Sequence, residues 1–318
     1  MPSRHVGERL RPHPASSPSF RWQVQEGVAP RGGEDGLRYV PRLQENEYGL
    51  IKRLVVVEEW LEVAARRLGT SRLRILDYGC GTGDHITFPI AQAGHEALGV
   101  DVHGPSILEA RRRYALPNLA FREWSIEELL GEDRTFDAVI CSEVLEHLPD
   151  PASFLGKLRR LIRPGGVAVI TTPNGYGSFE MLHRLQRGFC GVGLHQLIRW
   201  IFWKGRQGIR WGLGRPVPRH PLDMLPGQED PGFLNFHSNH VQFFRLKRLE
   251  VLFHESGFRV VARRARTLLC GPYADVLFHL CPWRQTLYRL NNRLADLLPF
   301  AWAADWMFLL EPREDLTP

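Results

Sequence analysis

The chain has 318 residues, of which 43% are hydrophobic and 24% charged, with a formal net charge of +6. This composition indicates a soluble globular protein whose length allows one large domain or two. Five scattered cysteines (Cys80, Cys141, Cys190, Cys270 and Cys281) contain no C-x-x-C pair, which excludes a disulfide framework and a cysteine-built zinc site and fits a reducing cytoplasm.

The surplus of positive charge is carried almost wholly by arginine, since lysine occurs only at 52, 157, 204 and 247. Mild basicity permits contact with anionic lipid, nucleic acid or an acidic glycan without choosing among them. No apolar run approaches the roughly 20 residues that cross a bilayer, and the N-terminus lacks the apolar core of a signal peptide. A cytoplasmic location is expected, with contact at the inner face of a membrane left open.

In chain order, residues 1–40 are rich in Pro, Gly, Ser and Arg and read as a disordered or loosely attached tail. Residues 45–68 space their apolar side chains as a helix does, and Gly69 stops it. This helix precedes the first strand and is placed to cover a ligand pocket. From 73 the pattern alternates between strand and helix. Strands are expected near 73–77, 96–101, 119–123, 136–141 and 166–171, and helices near 84–93, 104–114, 126–130 and 151–162. Pro164-Gly165-Gly166 predicts a sharp turn into the fifth strand. The alternation predicts an α/β fold, a parallel sheet wrapped by helices with its ligands at the carboxyl ends of the strands. Residues 174–240 interrupt the pattern and are too long for an ordinary connection. It resumes with a helix near 245–256 and a strand near 258–264. A second, apolar insertion covers 266–304, and 305–310 reads as a closing strand. The chain thus divides into a tail (1–40), a cofactor-binding core (41–173), an insertion serving as lid or substrate subdomain (174–240) and the rest of the catalytic domain (241–318).

The run Ile75-Leu76-Asp77-Tyr78-Gly79-Cys80-Gly81-Thr82-Gly83 ends a strand in an acid and then turns on three alternating glycines. Glycine lets the backbone turn tightly and lie against a ligand. Asp101 ends the next strand, 18 residues past Gly83, where a carboxylate can grip ribose hydroxyls. Helix capping before Gly104-Pro105 is the other use of this acid. The spacing is not the G-x-G-x-x-G of dinucleotide sites, and Asp77 would repel a pyrophosphate but suit a cationic ligand.

The D-x-G-C-G-T-G form resembles motif I of the class I S-adenosylmethionine-dependent methyltransferases. The resemblance implies a doubly wound, Rossmann-like, mostly parallel seven-stranded sheet of order 3-2-1-4-5-7-6, the seventh strand antiparallel, here with helical insertions after strands five and six. It implies S-adenosylmethionine as cofactor, with Asp77, Gly79, Cys80, Gly81 and Gly83 on its methionine side. Asp101 and Val102 follow at the ribose, with Ser142 in the same pocket. Trp124-Ser125-Ile126 resembles the segment that cradles adenine, where Ser125 stands in place of the more frequent Asp. Ser125 with Glu128 also reads as a capping box.

The segment Phe136–Leu148 resembles motif IV, where the reactive methyl faces its acceptor. His147 is the candidate general base. The spacing Glu143-x-x-Glu146-His147 also occurs in the ubiquinone-pathway O-methyltransferases and the small-RNA 2′-O-methyltransferases. There it holds a metal that positions the acceptor oxygens. By that resemblance Glu143, Glu146 and His147 are candidate catalytic residues and, with His240 (His237 as fallback), candidate ligands of a divalent cation such as Mg²⁺. The alternative is a histidine that closes the pocket by hydrogen bonds without metal. Asn174, after the fifth strand, either contacts the substrate or makes a turn.

The Trp- and Arg-rich stretch 195–215 reads either as an amphipathic lid meeting an acyl or isoprenoid chain or as a subdomain with its own small core. The expected reaction is O-methylation of a hydrophobic small molecule, a quinone precursor or a lipid-linked sugar. The alternatives are metal-dependent RNA 2′-O-methylation and a non-catalytic S-adenosylmethionine-binding partner. Nucleic acid is disfavoured because no RNA-binding module is visible. The sequence does not fix the oligomeric state.

Overall fold

The computed structural model describes residues 45–46, 48–191, 204, 240–271, 274, 278, 281 and 283–313. The expected tail 1–40, His237, and the stretch 195–215 apart from Lys204 lie outside the described residues.

Seven segments rich in β-branched and apolar residues pair into one sheet. They are β1 (Arg74–Tyr78), β2 (Glu96–Asp101), β3 (Leu119–Glu123), β4 (Phe136–Ser142), β5 (Ile162–Pro173), β6 (Phe258–Ala265) and β7 (Asp305–Pro312). Their order is β3-β2-β1-β4-β5-β7-β6, as expected. The first five run parallel, and β7 lies antiparallel between β5 and β6.

The described helices are α1 (Leu50–Leu68), α2 (Thr87–Gln92), α3 (Gly104–Arg113), α4 (Ile126–Gly131), α5 (Pro151–Arg160), α6 (Ser178–Gly191), α7 (Leu246–Glu255) and α8 (Arg284–Leu297). None of them is long and apolar enough to cross a membrane.

Alternate residues of the central strands feed two cores, because side chains leave a strand on opposite faces in turn. Leu76, Val139, Cys141, Ile170 and Phe308 pack on one face with α5 and α7. Ile75, Ala138, Ile140, Val169 and Met307 pack on the other with Val57, Trp60 and Leu61 of α1. Every residue of β4 is buried, as expected of a strand covered on both faces.

Three boundaries differ from expectation by three residues or more, each for a local reason. α1 starts at Leu50 rather than 45, because Gly49 takes a left-handed conformation (φ 63°) and the Glu45 carboxylate accepts the backbone N–H groups of Ile51 and Lys52. α2 starts at Thr87, since the glycine loop runs three residues further than its spacing suggested. Pro164-Gly165-Gly166 lies inside the span of β5. The pairing jumps from Phe136↔Ile162 to Ala138↔Val167, so the turn is a bulge within the strand. A Cβ on Gly166 would come within 2.8 Å of the Asp137 carbonyl oxygen, and Arg163 pairs with the Asp137 carboxylate at 2.7 Å.

Phe308, fully buried in β7, meets the rings of Phe253 at 5.2 Å and Phe300 at 5.8 Å. Phe308→Ala is expected to lower unfolding stability by about 3–5 kcal/mol, read by urea denaturation.

Candidate active site

The β1–α2 loop turns back over β2. Gly79 and Cys80 both donate their N–H groups to the Val100 carbonyl, at 2.7 and 3.1 Å. Gly79, Gly81 and Gly83 are all left-handed, with φ of 78°, 54° and 76°. A Cβ on Gly79 would lie 2.3 Å from Val144, and one on Gly83 would lie 2.5 Å from Phe121. The protein's own packing therefore demands these two glycines. Gly81 alone has no heavy atom within 4 Å of its Cβ position, so it fronts open space.

Cys80 turns its side chain toward Gly99 and the cluster of Phe88 and Phe121. Asp84 braces the end of the loop, accepting from Thr82, Tyr114 and Arg113. Its location one residue past the glycines was the only sequence signal for that role.

Asp101 lies at the end of β2. It accepts Gly81 N–H at 2.8 Å on one oxygen and His103 N–H at 2.9 Å on the other. The N-cap of α3 is His103, so the capping alternative for Asp101 does not hold. Each carboxylate oxygen keeps a second acceptor position for a ligand hydroxyl. Val102 beside it is 67% exposed, an apolar surface next to the acid.

Ser125 caps α4 in a complete capping box: its hydroxyl accepts from Glu128 N–H, and Glu128 accepts from Ser125 N–H at 2.7 Å. Its side chain is thus committed to the helix, and the Ile126 side chain is buried in the core.

Asp77 is buried and accepts the Thr87 hydroxyl at 2.6 Å. Burial pushes its carboxyl up to about 6, against the pull of Thr87 and Arg53.

The exit of β4 is held by charges. Glu143 is a non-glycine residue in the left-handed region (φ 58°). Its N–H donates to the Thr171 carbonyl at 3.0 Å, and its carboxylate accepts the Thr171 hydroxyl at 2.6 Å. Arg266 pairs with Glu143 at 2.9 Å and with Asp305 at 2.8 Å. From the other side Arg53 of α1 donates to the Ser142 hydroxyl at 3.0 Å, which lies 2.7 Å from the Thr171 hydroxyl.

Burial would raise the Glu143 carboxyl, but Arg266 and Arg53 overcome it and hold it below the usual carboxylate range. Ser142 and Glu143 are therefore braced by protein groups. Sequence reasoning missed both arginines. The signal for Arg53 was a cation on the apolar face of a helix; Arg266, in a loop, gave none.

Glu146 is also buried, and its carboxylate accepts the Thr172 hydroxyl at 3.2 Å. Burial, then the nearby Glu143, pushes its carboxyl well above the ordinary value. Its backbone carbonyl accepts from Val241 and Gln242 at 2.8 and 3.0 Å. Those two bonds dock the segment that carries His240. The His240 ring stands edge-on to His147 at 4.9 Å, and Glu180 of α6 hydrogen-bonds His240 Nδ1. His147 Nε2 lies 3.9 Å from Glu146.

One ligand atom each from Glu146, His147 and His240 fall within 4.8 Å of one another. Glu143, expected as a fourth member, is not among them because Arg266 and Thr171 occupy its carboxylate. Asn174 is likewise turned to structure. It donates to the carbonyls of Ala301 and Ala303 at 3.0 and 2.8 Å and accepts Tyr176 N–H at 3.0 Å, which supports the turn rather than the substrate contact.

The sheet order, the glycine loop and the acid ending β2 together define a cofactor-binding transferase frame. The sequence profile of the family described as "Methyltransferase domain" matches residues 50–263. The chain belongs to this family, the class I S-adenosylmethionine-dependent methyltransferases.

Among curated relatives, it is 41% identical over 110 residues to the ubiquinone biosynthesis O-methyltransferase of Alkalilimnicola ehrlichii, covering 33% of this chain and 44% of that protein. It is 34% identical over 118 residues to the protein of the same name from Xanthomonas oryzae pv. oryzae, covering 36% and 48%. The alignment thus spans about half the length of these relatives. A solved magnesium protoporphyrin IX methyltransferase from Synechocystis, with bound S-adenosylhomocysteine, aligns over 84% of each chain at 16% identity and a TM-score of 0.47.

Asp77 yields a pH prediction. Its folded pKa of about 6 exceeds the ordinary 3.8, so its contribution to stability is fully present below about 4 and is lost as pH rises through 6. Asp77→Asn should match the parent's melting temperature near pH 4 and exceed it at pH 8. A cationic ligand should bind the parent more tightly across the same interval, checked by calorimetric titration at pH 5 and pH 8.

Proposed function

We propose that the protein methylates an oxygen of a hydrophobic small molecule, a quinone precursor or a lipid-linked sugar, using S-adenosylmethionine and releasing S-adenosylhomocysteine. The observation that carries this is the grouping of Glu146, His147 and His240 just past the end of β4. Val144 of the same exit loop packs against Gly79, so the grouping adjoins the glycine loop. The stretches shared with proteins named ubiquinone biosynthesis O-methyltransferases support an oxygen acceptor.

In this reading Gly81 fronts the methionine portion of the cofactor, and Asp101 takes the ribose hydroxyls beside exposed Val102. Buried Asp77 supplies negative charge near the cationic end. His147 removes the proton from the acceptor hydroxyl as the oxygen attacks the methyl. Glu146 lies 3.9 Å from His147 Nε2, near enough that its ionised form would favour the imidazolium that results. Holding the methyl and the acceptor in line supplies much of the rate, since prealignment is worth several kcal/mol.

The cluster also bears on a metal. Two imidazoles and one carboxylate fit an ion that accepts nitrogen ligands, whereas Mg²⁺ favours oxygen ligands. Glu180 on His240 Nδ1 leaves Nε2 to face an ion and fixes the ring, as carboxylates behind ligating histidines do. Such an ion, held by Glu146, His147 and His240, would lower the pKa of the acceptor oxygen in place of the base.

The test is transfer of labelled methyl from S-adenosylmethionine to a host lysate, followed by partition of the label. Label in the organic phase supports the proposal, and nuclease-sensitive aqueous label replaces it with RNA methylation. His147→Ala should lower transfer about 10²–10⁴-fold while leaving S-adenosylhomocysteine affinity unchanged. Asp101→Ala should instead weaken that affinity by about 1.5–3 kcal/mol in calorimetry. Transfer that is indifferent to EDTA would exclude the ion.

A further inference from the structure

Helix α8 buries a mixed face. Tyr288 and Ala295 pack inward against apolar neighbours, and Asn291 and Asn292 are buried beside them. Asn291 both accepts from and donates to the backbone of Leu269, at 2.9 and 2.8 Å, and Asn292 donates to Glu45 at 2.8 Å. Lys52 of α1 donates to the Asn292 carbonyl and pairs with Asp296, both at 2.8 Å.

The outer face carries the large apolar residues. Leu290, Leu294 and Leu297 are exposed, Leu297 by 80%. Trp283, at the residue before the helix, is 74% exposed, and Trp302, in the 3₁₀ turn that follows, is 63% exposed. At 100° per residue, Trp283, Leu290, Leu294 and Leu297 fall within a sector of about 60°. A stripe of this size on a helix already anchored by its opposite face marks a surface that meets something apolar.

Charge selects the partner. Arg284, Arg289 and Arg293 are exposed on the same helix, and its acid, Asp296, is already paired with Lys52. A second copy of this chain would present the same helix face, with three arginines and no acid left on that helix to meet them. An anionic, apolar-backed surface suits both features, and tryptophans at the two ends suit the headgroup level of a bilayer.

We propose that the outer face of α8 docks flat on an anionic lipid bilayer, with Leu290, Leu294 and Leu297 entering the acyl boundary and the arginines meeting the headgroups. The same helix roofs the segment 266–269, which carries Arg266, so docking would bring the candidate site's end of the sheet toward the lipid. The inference stands on the surface of α8 and not on the acceptor proposed above.

The experiment is flotation of the full chain with vesicles of phosphatidylcholine, with and without phosphatidylglycerol. Flotation is expected only with phosphatidylglycerol and should weaken with salt. Leu290→Glu with Leu297→Glu should reduce it about tenfold or more, and Arg289→Glu with Arg293→Glu should remove its dependence on phosphatidylglycerol. Both double variants should keep the parent's S-adenosylhomocysteine affinity, which separates lost docking from lost folding and reports on the cofactor reading independently. Flotation that the variants leave unchanged, or no flotation of the parent, overturns the proposal. So does a parent dimer in light scattering that Leu290→Glu with Leu297→Glu dissolves, which would assign the face to a second copy.

Discussion

The sharing of one buried guanidinium, Arg266, between Glu143 and Asp305 is the constraint on which the candidate site depends. Charges this deep are costly unless each is paired and hydrogen-bonded. Here the pairing ties the end of β4 to the segment after β6 and to the first residue of β7. Arg53 closes the arrangement from α1 through Ser142 and Thr171. Removing Arg266 would leave two buried carboxylates without their shared cation. The network also holds Glu143 in a left-handed conformation that costs about 1–2 kcal/mol for a residue with a side chain. That turn sends Glu146 and His147 back across the carboxyl end of the sheet.

Two carboxylates three residues apart thus receive opposite environments. Two arginines hold the Glu143 carboxyl below the usual range, while burial and a neighbouring negative charge raise that of Glu146. Such divergence allots different tasks to like groups. Glu143 braces the loop, and Glu146 is the member of the pair that stands with the histidines. Its backbone contributes as much as its side chain, since the carbonyl of Glu146 seats the segment bearing His240.

The glycine loop shows a similar division. Gly79 and Gly83 make room for Val144 and Phe121, and so lock the loop to the exit of β4 and to β3; of its three glycines only Gly81 fronts open space. A motif read as a ligand cradle is in good part a packing device that holds the cradle's shape. The apolar face of α8, beside the same end of the sheet, extends the pattern. Its two asparagines are spent inward on segments near the network, while Leu290, Leu294, Leu297 and the flanking Trp283 and Trp302 stay outward.

Periodicity and turn chemistry were enough to determine the alternation of strands and helices, the capping box at Ser125 and the acids that end β1 and β2, because these are local consequences of side-chain type. The strand order came from resemblance in the motifs rather than from periodicity. The bulge in β5 was misread as a turn because Pro-Gly-Gly looks the same in both, and only pairing with β4 distinguishes them. Glu143 was grouped with Glu146 because spacing along one turn is visible in sequence, whereas Arg266, 123 residues away, is not. The resemblance had already set His240 beside His147, and the structure brings the two together. Tertiary structure alone turned Asn174 and Cys80 inward and buried two asparagines under α8, since each depends on which distant segment supplies the neighbouring atoms.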